Sequence, residues 1–597
     1  MEGKAWKAYL RQLDRMVILW VAFALSFYRL TGISLWGDEL TTATVHLPRL
    51  PLQLLTTFSS NNHTLYTLLA KVGVYLLGQS DFAIRLPAAC FAVLGVAAFY
   101  TLLLRMYQRD TALLGAWLLA MLPTYLTYAQ QARGYTAALC FTALAACGLW
   151  QGLARGQSRD WALFAGASLA ACLSHLIGGL LAWGGLSLYG LIAVAKRDRR
   201  WRVGFLLVQA GFALLMGALL ILWWPGINQH AQSLTQLHDD LTPLNVKAAH
   251  NLLNQLSPVA TSNPWFWIYV MLVLLALVGL YRREARSATA LLLTWLLAPL
   301  AVVMAMKAVR PQIYFPMRFL LPLILPVVGL IAAGIKSLRL KLASFEWWRP
   351  LFSWLMTGGL ALMLAASLIP GVRDHYTALH ENYRAAAVLI HARYQPGDVI
   401  IVYGHPWRPD REQVLLGWYG LPADTHTGRN DIGWLQEQLT ARHAVWVVAN
   451  GFQAWPHMTP ELRAWLNDEF ISVPFTHMRV FYRPDTTRRP SAAERLALLS
   501  EAAALDPIDA SVRFPLLFTQ MRMHQTEAAD VTATQLLRLR PDNGWVYFQV
   551  GRLAEIRGEP AAALIAYKQA LILDPTLEEA KASLARLEGV QMNAGGQ

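Results

Sequence analysis

Two adjacent carboxylates, Asp38 and Glu39, follow Trp36 and Gly37 just past the first long apolar run of a 597-residue chain. A charge at mid-bilayer costs roughly 2.5–3.5 kcal/mol on insertion scales, so acids in an apolar chain sit at its edges or in a site. Residues 1–370 hold 12 acids, five of them directly beside Arg or Lys, as solvated charge is. Asp38 and Glu39 have no basic neighbour in sequence. Further along come His63 and Tyr66, then Arg85, then Arg133 and Tyr135, then His175, and finally Tyr314 and Arg318. A carboxylate can deprotonate a hydroxyl, and a guanidinium can hold a phosphate through paired hydrogen bonds. Gathered on one membrane face, these residues suit group transfer from a lipid phosphate.

The elements that would gather them are membrane spans. The chain is 55% hydrophobic and only 15% charged, where a soluble protein carries about 25% charged residues. That balance excludes disorder, a collagen-like fibre and a small disulfide scaffold. Apolar runs long enough to cross a bilayer, about 17–25 residues, are expected at 16–33, 82–104, 111–128, 135–153, 161–176, 178–195, 203–224, 265–281, 288–306, 319–335 and 351–369. The shorter run at 65–77 reads as a helix lying on the membrane surface.

Charge tests this layout. With the N-terminus in the cytoplasm, 20 Lys and Arg fall on cytoplasmic segments and 8 on the opposite side, as the positive-inside rule requires. An odd number of spans then places everything after Pro370 outside the cytoplasm. No small-residue cleavage site follows the first run, so it is expected to stay attached. All four cysteines fall inside the expected spans, and none lies in the exported half. The formal net charge of +14 divides into +17 for residues 1–370 and −3 for the remainder. The basic excess is therefore a record of topology, and nucleic acid is not expected as a partner.

Beyond residue 370 the periodicity changes. Residues 398–403, 444–449 and 478–482 read as strands, and 383–394, 432–441 and 460–470 as helices. Together they predict a small α/β domain over 373–487. The loop Gly404-His405-Pro406-Trp407 is either a ligand loop or an ordinary strand-end turn. Asp506-Pro507, Arg540-Pro541 and Asp574-Pro575 then recur every 34 residues, which is the tetratricopeptide period. Trp545, Tyr547, Gly551, Ala563, Ala566 and Tyr567 supply the small and aromatic residues that two packed helices need. Residues 490–590 thus resemble tetratricopeptide repeats, either a partner-binding surface or a structural cap.

The Trp36…Asp38-Glu39 loop, Leu65-Tyr66, Arg85-Leu86-Pro87, Ala132-Arg133-Gly134-Tyr135, His175 and Arg318-Phe319 together resemble bacterial membrane glycosyltransferases of the protein O-mannosyltransferase and aminoarabinose-transferase superfamily, of GT-C fold and family 39/83-like. The likeness covers residues 10–370. It implies a polytopic α-helical membrane domain over 1–372, of about 11 spans, in a bacterial inner membrane. It further implies a hexosyl or pentosyl group moved from a polyprenyl-phosphate donor to an acceptor outside the cytoplasm. The acceptor would be a protein, a lipid or a glycan. The family's catalytic base falls on Asp38, with Glu39 beside it. Arg85, Arg133, Arg318 and His63 are then expected at the donor phosphate, and Tyr66, Tyr135, His175 and Tyr314 around the substrate. Many relatives carry a Lys-Pro-Pro before the Leu-Tyr segment. Here Asn62-His63-Thr64 stands in that place, so either His63 substitutes for the lysine or the arginines hold the phosphate alone.

One base and one displacement predict inversion at the anomeric carbon. Three other readings stand beside this one. Asp38, Glu39, His46 and His63, or His238-Asp239-Asp240, could take a divalent metal, although neither spacing demands one. A transporter or flippase would use buried acids, yet these lie in a loop and no inverted repeat is evident. An anchored repeat scaffold would not need so many spans.

Overall fold

The computed structural model describes residues 2–59, 61, 63–237, 246–309, 315–342, 350–378, 380–404, 410–422, 425–440, 444–452 and 454–594. The chain forms two compact units. The first comprises Met1–Gly32 and Thr41–Ala378, the second Ile33–Leu40 and Leu379–Gln597.

Among the described residues of the first unit seven helices are long and apolar enough to cross a membrane: Asp81–Met106, Tyr135–Arg155, Leu176–Ala195, Arg199–Gln229, Arg286–Val309, Met317–Leu342 and Leu355–Thr377. The pair Arg109–Met121 and Pro123–Ala129 bends by 61° and makes an eighth if it is one span. Pro123 cannot donate to the helix ladder, and Leu122 before it is extended (φ −67°, ψ 118°), as a residue preceding proline prefers.

Of the eleven expected runs, seven or eight meet the length and composition of a span among the described residues. The other three runs form shorter helices. The apolar part of the first helix is Arg15–Phe27. Ser158–Ser174 carries Arg159 and Asp160 in its first turn. Trp265–Ala276 gives way to a 3-10 turn at Leu277–Leu280. The expected surface segment is the helix Thr64–Leu77.

Burial separates the spans. In the apolar stretch of each span, 83% of the residues are buried for Met317–Leu342 and 78% for Tyr135–Arg155, against 17% for Arg199–Gln229. The first two form the centre of the bundle. The third presents Leu206, Leu207, Leu214, Leu215 and Ile221 outward, the apolar periphery of a helix that faces lipid.

The second unit contains a five-stranded sheet: β1 (Val399–Tyr403), β2 (Thr425–Thr427), β3 (Val445–Asn450), β4 (Ile471–Phe475) and β5 (Met478–Arg483), in the order β2-β1-β3-β5-β4. β1 is parallel to both β2 and β3, while β5 runs antiparallel to β3 and β4. The central strands β1 and β3 are buried at every residue, so they read as continuous apolar runs. Tyr383–Arg393, Ile432–Leu439 and Pro460–Glu469 are helical as expected.

Six helices follow from Ala492 to Ala594. Those beginning at Ala510, Gly544 and Glu578 keep the 34-residue step of the proline marks, as do those beginning at Thr526 and Pro560.

Candidate active site

In the first unit the candidate residues stand at helix ends, where the chain leaves its hydrogen-bonded ladder. His63 precedes Thr64–Leu77, Gly134 precedes Tyr135–Arg155, and His175 separates Ser158–Ser174 from Leu176–Ala195. The His175 Nδ1 accepts from the Gly178 amide at 3.0 Å and caps the helix it begins. A Cβ on Gly134 would run into the Ser174 carbonyl and the His63 side chain. Glycine there is what lets the three ends close together.

The result is one packed cluster. Arg133 Nε donates to His63 Nε2 at 3.1 Å, and His63 Nδ1 donates to the Ser174 carbonyl at 2.8 Å. These partners assign the neutral tautomer. The His63 ring stacks 5.5 Å from His175 and lies 5.2 Å from Tyr135. The Arg133 guanidinium lies 5.2 Å from the centre of the Tyr135 ring, a cation–π contact. Phe319 closes the cluster against His175 at 5.2 Å. Burial, then the charge of Arg133, holds the His63 pKa well below the usual imidazole value, and the charge of Arg318 also reaches it. His63 is therefore neutral with both nitrogens engaged.

Two expected residues turn inward instead. Tyr66 is wholly buried, and its hydroxyl donates to the Ile84 carbonyl. That bond ties Thr64–Leu77 to the next helix. Arg85 is also buried, and its Nη1 donates to the Leu30 carbonyl at 2.9 Å, where the first helix has ended. Tyr314, His238, Asp239 and Asp240 lie outside the described residues, as do His405, Pro406 and Trp407 of the expected ligand loop.

A residue given no role in the phosphate or substrate set emerges here. His46 is buried, and neither of its ring nitrogens has a hydrogen-bond partner. Burial first, then Arg49 and Arg133, lowers its pKa to about 4. An imidazole in that condition keeps unused hydrogen-bonding capacity beside a cation.

The acid pair folds with the second unit. The Leu35 amide donates to the Tyr419 hydroxyl at 2.8 Å, and the Arg384 amide donates to Ser34 Oγ at 3.1 Å. Trp36 stacks on His380, and the Gly37 amide donates to Glu381 Oε2 at 3.4 Å. A Cβ on Gly37 would lie 2.7 Å from Arg411 Nη2, so glycine brings the loop against that guanidinium. Within the loop the two acids differ. Glu39 is fully buried and accepts from the Trp36 amide at 3.3 Å. Asp38, in the first turn of the short helix Gly37–Thr41, is only half-buried.

Behind the loop lies a polar network that sequence reading did not find. Tyr383 donates its hydroxyl to Glu412 Oε2 at 2.6 Å and accepts from Asn450 Nδ2 at 3.0 Å, while Arg411 pairs with Glu412 Oε1 at 3.5 Å. Burial raises the Glu412 pKa, and it holds the Tyr383 hydroxyl well above its ordinary value. Asn450 ends β3, and Arg411 and Glu412 follow β1. The loop thus meets the sheet at the carboxyl ends of its parallel strands, beside the reversal of strand order where open α/β sheets place their sites. Among the described residues, no three His, Cys, Asp or Glu side chains gather as metal ligands would.

Residues 64–224 match the family model of dolichyl-phosphate-mannose-protein mannosyltransferases. No curated protein matches the sequence. Among solved structures, ArnT from Cupriavidus metallidurans in the apo state is 14% identical with a TM-score of 0.47, covering 82% of this chain and 100% of that one. The same protein bound to undecaprenyl phosphate gives 14% and 0.46, covering 80% and 99%. AglB from Archaeoglobus fulgidus, in complex with an inhibitory peptide and a dolichol-phosphate, gives 11% and 0.45, covering 81% and 75%.

Proposed function

We propose that this chain, a glycosyltransferase of the membrane, moves a sugar from a polyprenyl-phosphate donor to an acceptor hydroxyl on the extracytoplasmic face, with inversion at the anomeric carbon. The observation that carries the reading is the family match, which falls on the stretch supplying Arg133, Tyr135 and His175. Asp38 is the base. It takes the hydroxyl proton as that oxygen attacks the anomeric carbon, while the bond to the phosphate oxygen breaks. The polyprenyl phosphate leaves as an anion, and Arg133 and Arg318 supply positive charge where its negative charge develops. Glu39 holds the loop that carries Asp38, and neutral His63 holds Arg133 in orientation. Arg85 fixes the chain where it leaves the first helix.

The sequence supports a hexosyl or pentosyl donor and a protein, lipid or glycan acceptor. The basic bias of alternate loops supports a bacterial inner membrane with the N-terminus cytoplasmic and residues beyond 372 outside. Residues 490–590 are read as tetratricopeptide-like repeats. Purified protein incubated with a polyprenyl-phosphate sugar should release polyprenyl phosphate, and Asp38→Asn should abolish release while donor binding and melting temperature stay unchanged. A wild-type rate in Asp38→Asn would overturn the assignment. Flux of the lipid-linked sugar across vesicles without bond cleavage would favour transport instead.

A further inference from the structure

The second unit holds a cavity of about 600 Å³ where the helix beneath the sheet meets the helical repeats. Its walls include Asn467, Arg495, Phe518, Arg522, Trp545 and Gln549, which come from four different helices. The volume lies within the roughly 300–1,000 Å³ usual for ligand sites. The repeats do not make it alone, because Asn467 belongs to Pro460–Glu469, the helix packed on the sheet.

Three observations point to what it takes. Arginines of this unit are commonly paired: Arg393 with Glu501, Arg483 with Glu469, Arg557 with Asp530 and Arg586 with Glu555. Arg495 and Arg522 make neither an ion pair nor a side-chain hydrogen bond among the described residues. They act on each other as like charges, and no acid lines the cavity with them. Phe518 and Trp545, at 42% and 37% exposure, offer aromatic surface on the same wall, and Arg552 lies over the Phe518 ring at 5.3 Å. Gln549 is 2% exposed, and its Nε2 donor has no partner. A buried amide donor without an acceptor is costly, and here it belongs to a residue of the cavity wall.

We infer that this cavity binds an acidic, apolar-containing segment of a partner polypeptide. Side-chain carboxylates of the segment pair with Arg495 and Arg522. An apolar side chain packs on Phe518 and Trp545, and a backbone carbonyl accepts from Gln549 Nε2. The inference does not rest on the transfer reaction, and its test reads binding alone.

The probe is a fluorescein-labelled dodecapeptide alternating Glu or Asp with Leu or Phe, titrated by anisotropy against the full chain in detergent. A peptide with Lys at every acidic position is the counterpart. The acidic peptide should bind and weaken as salt rises, and Arg495→Gln/Arg522→Gln should weaken it by about tenfold or more. Gln549→Leu should weaken it less. Arg522→Glu should lose the acidic peptide and gain the lysine one, an exchange that a misfolded variant could not produce. Equal binding of the two peptides, or binding indifferent to Arg495 and Arg522, would overturn the proposal. So would phosphatidylglycerol vesicles that displace the peptide through the same two arginines, because the site would then be a lipid site.

Discussion

The histidine–arginine cluster of the membrane unit and the acid loop of the second unit are built on opposite principles. The cluster comes from helix ends 63, 134 and 175, packed with aromatic rings around one buried cation, Arg133. Its histidine His63 is neutral because burial and the neighbouring positive charge disfavour a second cation. The acid loop buries Leu35 and Leu40. It is held by hydrogen bonds to Tyr419, Arg384 and Glu381, more than 300 residues away in sequence. Burying a cation among rings fixes it by packing, whereas a half-buried carboxylate must be aimed by its backbone. That difference says which substitutions should abolish function and which should only loosen it.

The largest effect is expected at Asp38. Asp38→Asn should lower the transfer rate by about 10²–10⁴-fold, the usual contribution of a general base. Glu39→Gln keeps an acceptor for the Trp36 amide and should cost no more than about tenfold. Rates measured side by side would break the distinction between base and support if the two variants lost activity equally.

Next comes Arg133→Lys, which keeps the charge but has no Nε–H to give His63. It should raise the KM for donor by about tenfold or more with a smaller change in kcat. A pure kcat effect would argue against a role at the phosphate. On the other side, Tyr383→Phe and Glu412→Gln should each lower kcat several-fold and leave donor KM unchanged, since they act on the loop through its backing network. A change in donor KM would place that network elsewhere in the reaction.

The smallest expected effect is on stability. His46 titrates near 4 in the folded chain, below the 6.5 of free imidazole, so the unfolded state binds its proton first as pH falls. Stability is full above about pH 6.5 and is lost at about 1.4 kcal/mol per pH unit down to about pH 4. Thermal melts across that range should be flatter for His46→Gln. An unchanged slope would remove His46 from the account.

Much of the architecture was legible locally. Long apolar runs report helices in lipid, because an apolar solvent leaves the backbone no other partner, and strands β1, β3 and β5 showed as short apolar runs. β4 was hidden because Pro474 interrupts it, which only an edge strand tolerates. β2 was hidden because its three residues are too few for a pattern. Among the site residues, Arg133 and His175 are brought into one cluster with His63. Tyr66 and Arg85 looked alike from sequence, but each side chain has its hydrogen bond to a carbonyl of the fold.

By itself the sequence determined that this is a multi-pass membrane chain with a mixed α/β segment and a 34-residue helical period after it. Those properties are written in hydropathy and spacing, which act over a few turns of chain. Only the tertiary structure decided that Asp38 and Glu39, at the exit of the first helix, fold with the sheet domain. It likewise decided that Asp38 keeps solvent exposure while Glu39 is buried. Both depend on Tyr383, Arg384, Arg411, Glu412 and Tyr419, whose nearness to Gly37 no local pattern encodes. A contact across more than 300 residues is specified only by the folded chain, here through hydrogen bonds to Tyr419, Arg384 and Glu381.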